Sequence, residues 1–129
     1  MLSGTSQPAS GALVWHGSEP GAIAEASAEQ LPLMVDFTAD WCLPCKTLEE
    51  EVFQAPAVAA VLRSDFVLLR VDLSGDWDAP DKSALREKYG VVNLPAVRIV
   101  SVGGQVVAEI DELIEAEQFL DLLREARSS

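Results

Sequence analysis

The chain predicts an α/β domain with a mixed central β-sheet covered by helices on both faces, and three observations carry that reading. Two short apolar runs, residues 31–38 (LPLMVDFT) and 66–73 (FVLLRVDL), are too compact for amphipathic helices and suit strands buried on both faces. Helix-like stretches punctuated by Pro and Gly separate them, the arrangement that joins parallel strands. Nearer the C-terminus, residues 96–102 and 105–110 flank Gly103-Gly104, which reads as an antiparallel β-hairpin closed by a glycine turn.

Taken in order, Leu13-Val14-Trp15 suggests a short edge strand, and residues 20–30, rich in Ala and Glu, predict a helix capped near Ser18 or Glu19. The strand over 31–38 leads into a turn that holds both cysteines, and helix continues over 47–53. Ala55-Pro56 interrupts it, because proline has no N–H and its ring clashes inside a helix; a second helical stretch runs to about Arg63. After the strand over 66–73 comes a polar loop, residues 74–81, in which Asp78 is placed to cap a helix through Tyr89 that Gly90 stops. The hairpin follows, and residues 115–127 close the chain as a helix with Phe119, Leu120, Leu122 and Leu123 on one apolar face. The predicted order is β-α-β-α-β-α-β-β-α, which puts the cysteine turn at the C-terminal end of a central strand, where open α/β sheets carry their sites.

Residues 1–11 (MLSGTSQPASG) are expected to be a flexible linker or tail cut from a longer protein, with residues 12–129 forming the domain. The stretch has neither a basic n-region nor an apolar h-region and does not read as an intact signal peptide. With 129 residues, 49% of them hydrophobic, the chain can bury one substantial core. Two cysteines are too few for a disulfide-stapled scaffold, so packing must hold the fold. A formal charge of −12, with nine Lys and Arg against 21 Asp and Glu, argues against nucleic acid as a partner and against an anionic membrane surface. No run approaches the ~20 apolar residues of a membrane-spanning helix.

The turn Trp41-Cys42-Leu43-Pro44-Cys45-Lys46 carries the chemistry. Two cysteines at this spacing, behind a strand and ahead of a helix, read as a redox pair rather than a metal clip. Zinc needs about four ligands, and beyond two sulfurs the chain offers His16 and carboxylates; Asp72, Asp76, Asp78 and Asp81 lack the spacing of a calcium loop. No metal and no separate cofactor is therefore expected, the Cys42–Cys45 disulfide being the redox group. A thiolate, not a thiol, attacks a disulfide. At a helix start, unpaired N–H groups and the positive end of the dipole lower a cysteine from about 8.5 toward about 7. Cys42 is the candidate nucleophile, expected to be the more exposed sulfur, and Cys45, one turn inside, is the candidate resolving thiol.

The neighbours fit that scheme in different degrees. Pro44 stiffens the loop where a missing helical N–H has no partner to lose. Leu43 and Trp41 form an apolar rim suited to an extended partner segment, core packing being the other reading of Trp41. Lys46 either favours anionic sulfur or is a solvated helix residue. Glu49, Glu50 and Glu51 read as a solvated face near a helix start, and His16 as a surface residue. Asp36 interrupts an apolar strand: buried, its carboxyl is costly to ionise and its pKa rises, whereas strict alternation points it at solvent with Val35 and Phe37 inward.

The stretch Val35-Asp36-Phe37-Thr38-Ala39-Asp40-Trp41-Cys42-Leu43-Pro44-Cys45-Lys46 resembles the strand, W-C-x-x-C-K turn and helix of the thioredoxin superfamily, and Leu94-Pro95 resembles its second landmark. With Leu48-Glu49, Val52-Phe53, Val58, Leu62 and Phe66-Val67, the chain is most similar to the C-terminal soluble domain of DsbD-type transmembrane thiol:disulfide interchange reductases, over roughly residues 31–126. The resemblance implies a thioredoxin-like fold. It places Asp36 behind Cys45 as a buried proton acceptor, with Arg70 either its basic partner on the adjoining strand or an exposed edge charge. It implies a cis peptide before Pro95, which costs an X-Pro bond only about 0.5–1 kcal/mol, and so a Leu94 backbone open to pair with the substrate chain; an ordinary trans proline starting a strand is the other reading. Ala96 departs from the Thr common after that proline. Asp111-Glu112-Leu113 lacks the glycine often found before the last helix, which puts bulk and charge beside the groove.

These residues imply a monomeric protein-disulfide reductase: a dithiol passing electrons to disulfide-containing partner proteins and recharged by a membrane-embedded thiol donor. The lack of histidine between the cysteines favours a reductant over an oxidant. The expected location is periplasmic or otherwise extracytoplasmic, as part of a membrane-anchored protein. The alternatives are a cytosolic thioredoxin served by a flavin reductase, and a chaperone-like module binding through Trp41, Leu94 and Pro95.

Overall fold

Among the described residues, four strands form the sheet. The central strand β1 (Leu33–Thr38) pairs in parallel with β2 (Val67–Asp72) and antiparallel with β3 (Ala96–Val100), and β4 (Val106–Ile110) returns antiparallel to β3. The computed structural model describes residues 12–128, so the linker expected over residues 1–11 lies outside the described residues. Among the described residues, five α-helices complete the fold: α1 (Glu19–Glu29), α2 (Leu43–Thr47), α3 (Pro56–Asp65), α4 (Pro80–Tyr89) and α5 (Ala116–Arg127). Between α2 and α3 the chain winds on as a wider π-helical turn, Leu48–Phe53. Among the described residues, no helix is long and apolar enough to cross a membrane.

The sheet is buried on both sides, which is why its central strands read as unbroken apolar runs. On one face Leu33, Val35 and Phe37 pack with Val67, Leu69 and Val71 under Ala22 of α1 and Tyr89 of α4. On the other, Met34, Leu68, Val97 and Ile99 lie beneath Leu48, Phe53, Leu62, Phe119 and Leu123 from the π-helical turn, α3 and α5. Phe53 and Phe119 meet ring to ring at 5.5 Å, and burying each such side chain contributes roughly 1.5–3 kcal/mol. The mixed sheet with helices on both faces agrees with the sequence.

Several local expectations are corrected. Leu13-Val14-Trp15 is not a strand; a single parallel bridge joins His16 to Leu69, with the His16 N–H on the Leu68 carbonyl at 2.8 Å and the Arg70 N–H on the His16 carbonyl at 3.0 Å. Gly17 and the start of α1 turn the chain away before a ladder can extend, so the order begins with a helix. Asp78 does not cap α4: the helix begins at Pro80 after Ala79, and Asp78 pairs with Arg86 at 3.2 Å. Proline at the first helical position supplies the start that a cap would have given. Gly90 does stop α4, in the left-handed conformation at φ 67°, so that its N–H and that of Val91 reach back to Glu87 and Arg86 carbonyls. At the other end of the chain Glu115 and Gln118 form a reciprocal capping box that starts α5.

Arg98, in the middle of β3, is 1% exposed. Its guanidinium donates to the carbonyls of Tyr89 at 2.8 Å, Val97 at 3.1 Å and Gly90 at 3.1 Å, and pairs with Asp111 at 3.0 Å. It thus fastens the end of α4, from which residues 91–95 run to the cysteine turn, to the sheet.

Candidate active site

The cysteine turn lies where β1 ends, as expected. Cys42 has extended backbone (φ −95°, ψ 101°) and caps α2; its Sγ accepts the Cys45 N–H at 3.2 Å. This is the free N–H end of a helical stretch that continues through Phe53, and it favours negative charge on that sulfur. The two cysteines form a disulfide, with Cα atoms 5.3 Å apart. In this oxidised state Cys42 is 3% and Cys45 5% exposed, so Cys42 is not the more open of the two. The bond turns both sulfurs inward, and what reaches solvent is the rim: Trp41 at 61% and Leu43 at 72%. Core packing is thereby excluded for Trp41. Pro44 sits exposed in the first turn of α2, and Lys46 is exposed on the same short helix.

The Leu94–Pro95 peptide is cis, as the resemblance implied, with Pro95 buried and Leu94 half-buried against the core that includes both cysteines. Trp77, from the loop after β2, extends the rim: its ring lies 6.0 Å from that of Trp41 and is backed by the Arg86 guanidinium at 4.5 Å. Asp40 is held to the same loop by its N–H, which donates to Ser74 Oγ at 2.7 Å.

Behind the disulfide a cleft of ≈ 240 Å³ reaches Cys45 and Asp36, with Lys46, Glu49 and Arg70 among its walls. Asp36 is 4% exposed, so the solvent-facing alternative fails; the sheet is covered on both sides and alternation has no solvent face to offer. Arg70 donates to Asp36 through Nε at 3.2 Å, its Nη2 stands in ion-pair range of the same carboxylate oxygen at 3.2 Å, and Nη2 pairs with Glu49. Arg70 is therefore a partner of Asp36 and not an edge charge. Burial pushes the Asp36 carboxyl from 3.8 up to about 6; Arg70 pulls it back and Glu49 adds to the rise. At neutral pH it is mostly ionised yet close enough to titration to take a proton. Glu49 is a correction: it is part of the site and not of a solvated face, whereas Glu50 and Glu51 are exposed. Its signal in the sequence is the i, i+4 spacing from Cys45 on one helical face. Nothing local in the sequence marks Trp77. Among the described residues, no three His, Cys, Asp or Glu side chains gather as a metal site.

A raised carboxyl pKa works against the fold at high pH. Asp36 is neutral in both states below 3.8; as pH climbs past about 6 the native state must hold a buried charge that the unfolded chain holds at no cost. Its contribution is thus full at low pH and lost on rising through the folded pKa, by about 3 kcal/mol. Asp36→Asn removes that slope. The stability of the variant relative to the parent should rise by about 3 kcal/mol between pH 3 and pH 7 in urea titrations, and a flat difference would put Asp36 in the ordinary carboxylate range.

A thioredoxin-like family model matches residues 14–101. The chain is 36% identical to the thiol:disulfide interchange protein DsbD of Ralstonia nicotianae over 81% of its own length and 17% of the relative's. It is likewise 36% identical to DsbD of Vibrio cholerae, over 79% and 17%. The chain thus spans less than a fifth of these curated relatives. Among solved structures, the reduced C-terminal domain of Neisseria meningitidis DsbD superposes with a TM-score of 0.68 at 25% identity, covering 83% of this chain and 92% of that one.

Proposed function

Because this chain belongs to the thioredoxin-like family, we propose that it is a protein-disulfide reductase whose Cys42–Cys45 pair delivers two electrons to partner disulfides. The observation that carries the reading is the paired sulfurs at a helix start, with one of them sharing a cleft with a buried carboxylate near its titration point. The Cys42 thiolate attacks one sulfur of the partner; the partner's S–S bond breaks, its other sulfur leaves and takes up a proton, and a mixed disulfide forms. Cys45 then yields its proton to Asp36, directly or through water in the cleft, and attacks the Cys42 sulfur. The mixed bond breaks, the partner leaves as a dithiol, and the internal disulfide closes.

Trp41, Leu43, Pro44, Leu94 and Pro95 would form the seat for the partner segment, the Leu94 backbone adding to it as a strand adds to a sheet edge. Lys46 and Arg70 modulate the charge around the sulfurs. Similarity to DsbD supports a place outside the cytoplasm within a membrane-anchored protein, recharged by a membrane-embedded thiol donor and needing no bound cofactor.

Cys45→Ser tests this directly. With the resolving thiol gone, the reduced variant should remain joined to its partners through Cys42 and be recovered as mixed disulfides from an envelope extract, released by added reductant. Absence of any adduct would count against the reading.

A further inference from the structure

Arg70 has a third neighbour that the exchange chemistry has not yet used. The indole of Trp15 lies with its centroid 3.9 Å from the guanidinium carbon, and 6.0 Å from the ring of Phe53. The two backbone hydrogen bonds of His16 to β2 fix the segment just where Trp15 must meet Arg70. An arginine beside two carboxylates on a partly open cleft wall has many rotamers to choose from, and a planar stacking partner removes most of them.

We propose that Trp15 is a positioning residue of the redox centre: its ring holds the Arg70 guanidinium between Asp36 and Glu49, and through Arg70 it sets the charge on Asp36 when Cys45 gives up its proton. The chain of contacts runs from Trp15 to Arg70 and from Arg70 to both carboxylates without a gap. Without the ring, Arg70 is free to swing to Glu49 alone, and Asp36 keeps a buried charge with weaker compensation, which favours its neutral form. The groups facing Asp36 are Arg70 from β2, Glu49 from the π-helical turn and Cys45 from α2, with Asp40, Lys46, Glu50 and Asp72 farther out on the cleft wall. His16, next to Trp15, is turned to Glu25 at 2.6 Å and takes no part.

The inference rests on the exchange mechanism proposed above for its consequence, but not for its measurement. In the oxidised protein neither sulfur titrates, and the assigned Asp36 carboxyl ¹³C resonance reports that group's own titration, apart from Glu49 and from the His16 imidazole. Trp15→Phe keeps an aromatic face for Arg70, while Trp15→Met keeps apolar bulk on Phe53 and loses that face. The expected result is an Asp36 midpoint near that of the parent in Trp15→Phe and higher by about half a pH unit or more in Trp15→Met. The pH profile of disulfide reduction by the reduced protein should move the same way. Both variants must melt cooperatively for the comparison to count; Trp15→Tyr replaces Trp15→Phe, and Trp15→Leu replaces Trp15→Met, where one does not. Equal midpoints in all three proteins, or equal shifts in both variants, overturn the proposal, since packing alone would then account for Trp15. Retention of exchange in Cys42→Ser would instead sink the exchange mechanism and leave the Asp36 titration to be judged separately.

Discussion

Cys42→Ser should reduce disulfide exchange to the background set by a small thiol reductant alone, in an insulin-type reduction assay. The size of the effect follows from where the two sulfurs stand. Cys42 lies between Trp41 and Leu43, the two exposed apolar side chains on which a partner can land, and its Sγ receives the Cys45 N–H. Cys45 lines the cleft shared with Asp36, on the side away from that rim. A serine hydroxyl has none of the thiolate character on which attack depends, and Cys45 has no partner sulfur within reach to replace it. A binding module working through Trp41, Leu94 and Pro95 would keep its affinity in the same variant. Affinity and turnover measured side by side therefore separate the two readings, and full turnover in Cys42→Ser would refute the catalytic one.

Arg98→Met should destabilise the protein by about 3–5 kcal/mol, a large part of the 5–15 kcal/mol that holds an ordinary domain together. Three backbone carbonyls lose their charged donor, and two of them, on Tyr89 and Gly90, are at the end of α4 where no intrahelical N–H remains to serve them. Arg98→Lys should recover only part of the loss, because one ammonium cannot span the fork of contacts that a guanidinium makes. Glu109→Gln is the control: its carboxylate is mostly exposed and stands 3.8 Å from Arg98, so it should change little. The check is a shift in urea midpoint at constant slope. A loss below 1 kcal/mol in Arg98→Met would show that water can serve those carbonyls in place of the guanidinium.

The contrast between these two residues shows what a sequence can display. The cysteine turn and the apolar runs of β1 and β2 are local patterns, and they were legible with β1 trimmed by two residues at its start. Arg98 was not, because a charge inside a hairpin reads as a solvent-facing position; β3 is covered on both faces, so its pattern carries no outward side. Glu49 looked like one of three solvated glutamates until the fold brought Arg70 across from β2. Trp15 failed for the same reason in reverse: it was read as a strand residue, while its structural meaning comes from the side chains it lies on. The π-helical turn also has no local mark. Its wider winding lets Leu48, Val52 and Phe53 all reach the core while Glu49 is left beside Arg70.

The sheet divides the apolar interior into two layers, and the cysteine helix is rooted in both: Cys42 and Cys45 belong to the layer of α1 and α4, Leu48 and Phe53 to that of α3 and α5. Whatever the sulfurs do is therefore transmitted to each half of the molecule at once. Oxidised and reduced forms should differ in the cooperative melting of the entire domain, and not merely in fraying around one loop, so that thermal tolerance itself becomes a readout of redox state.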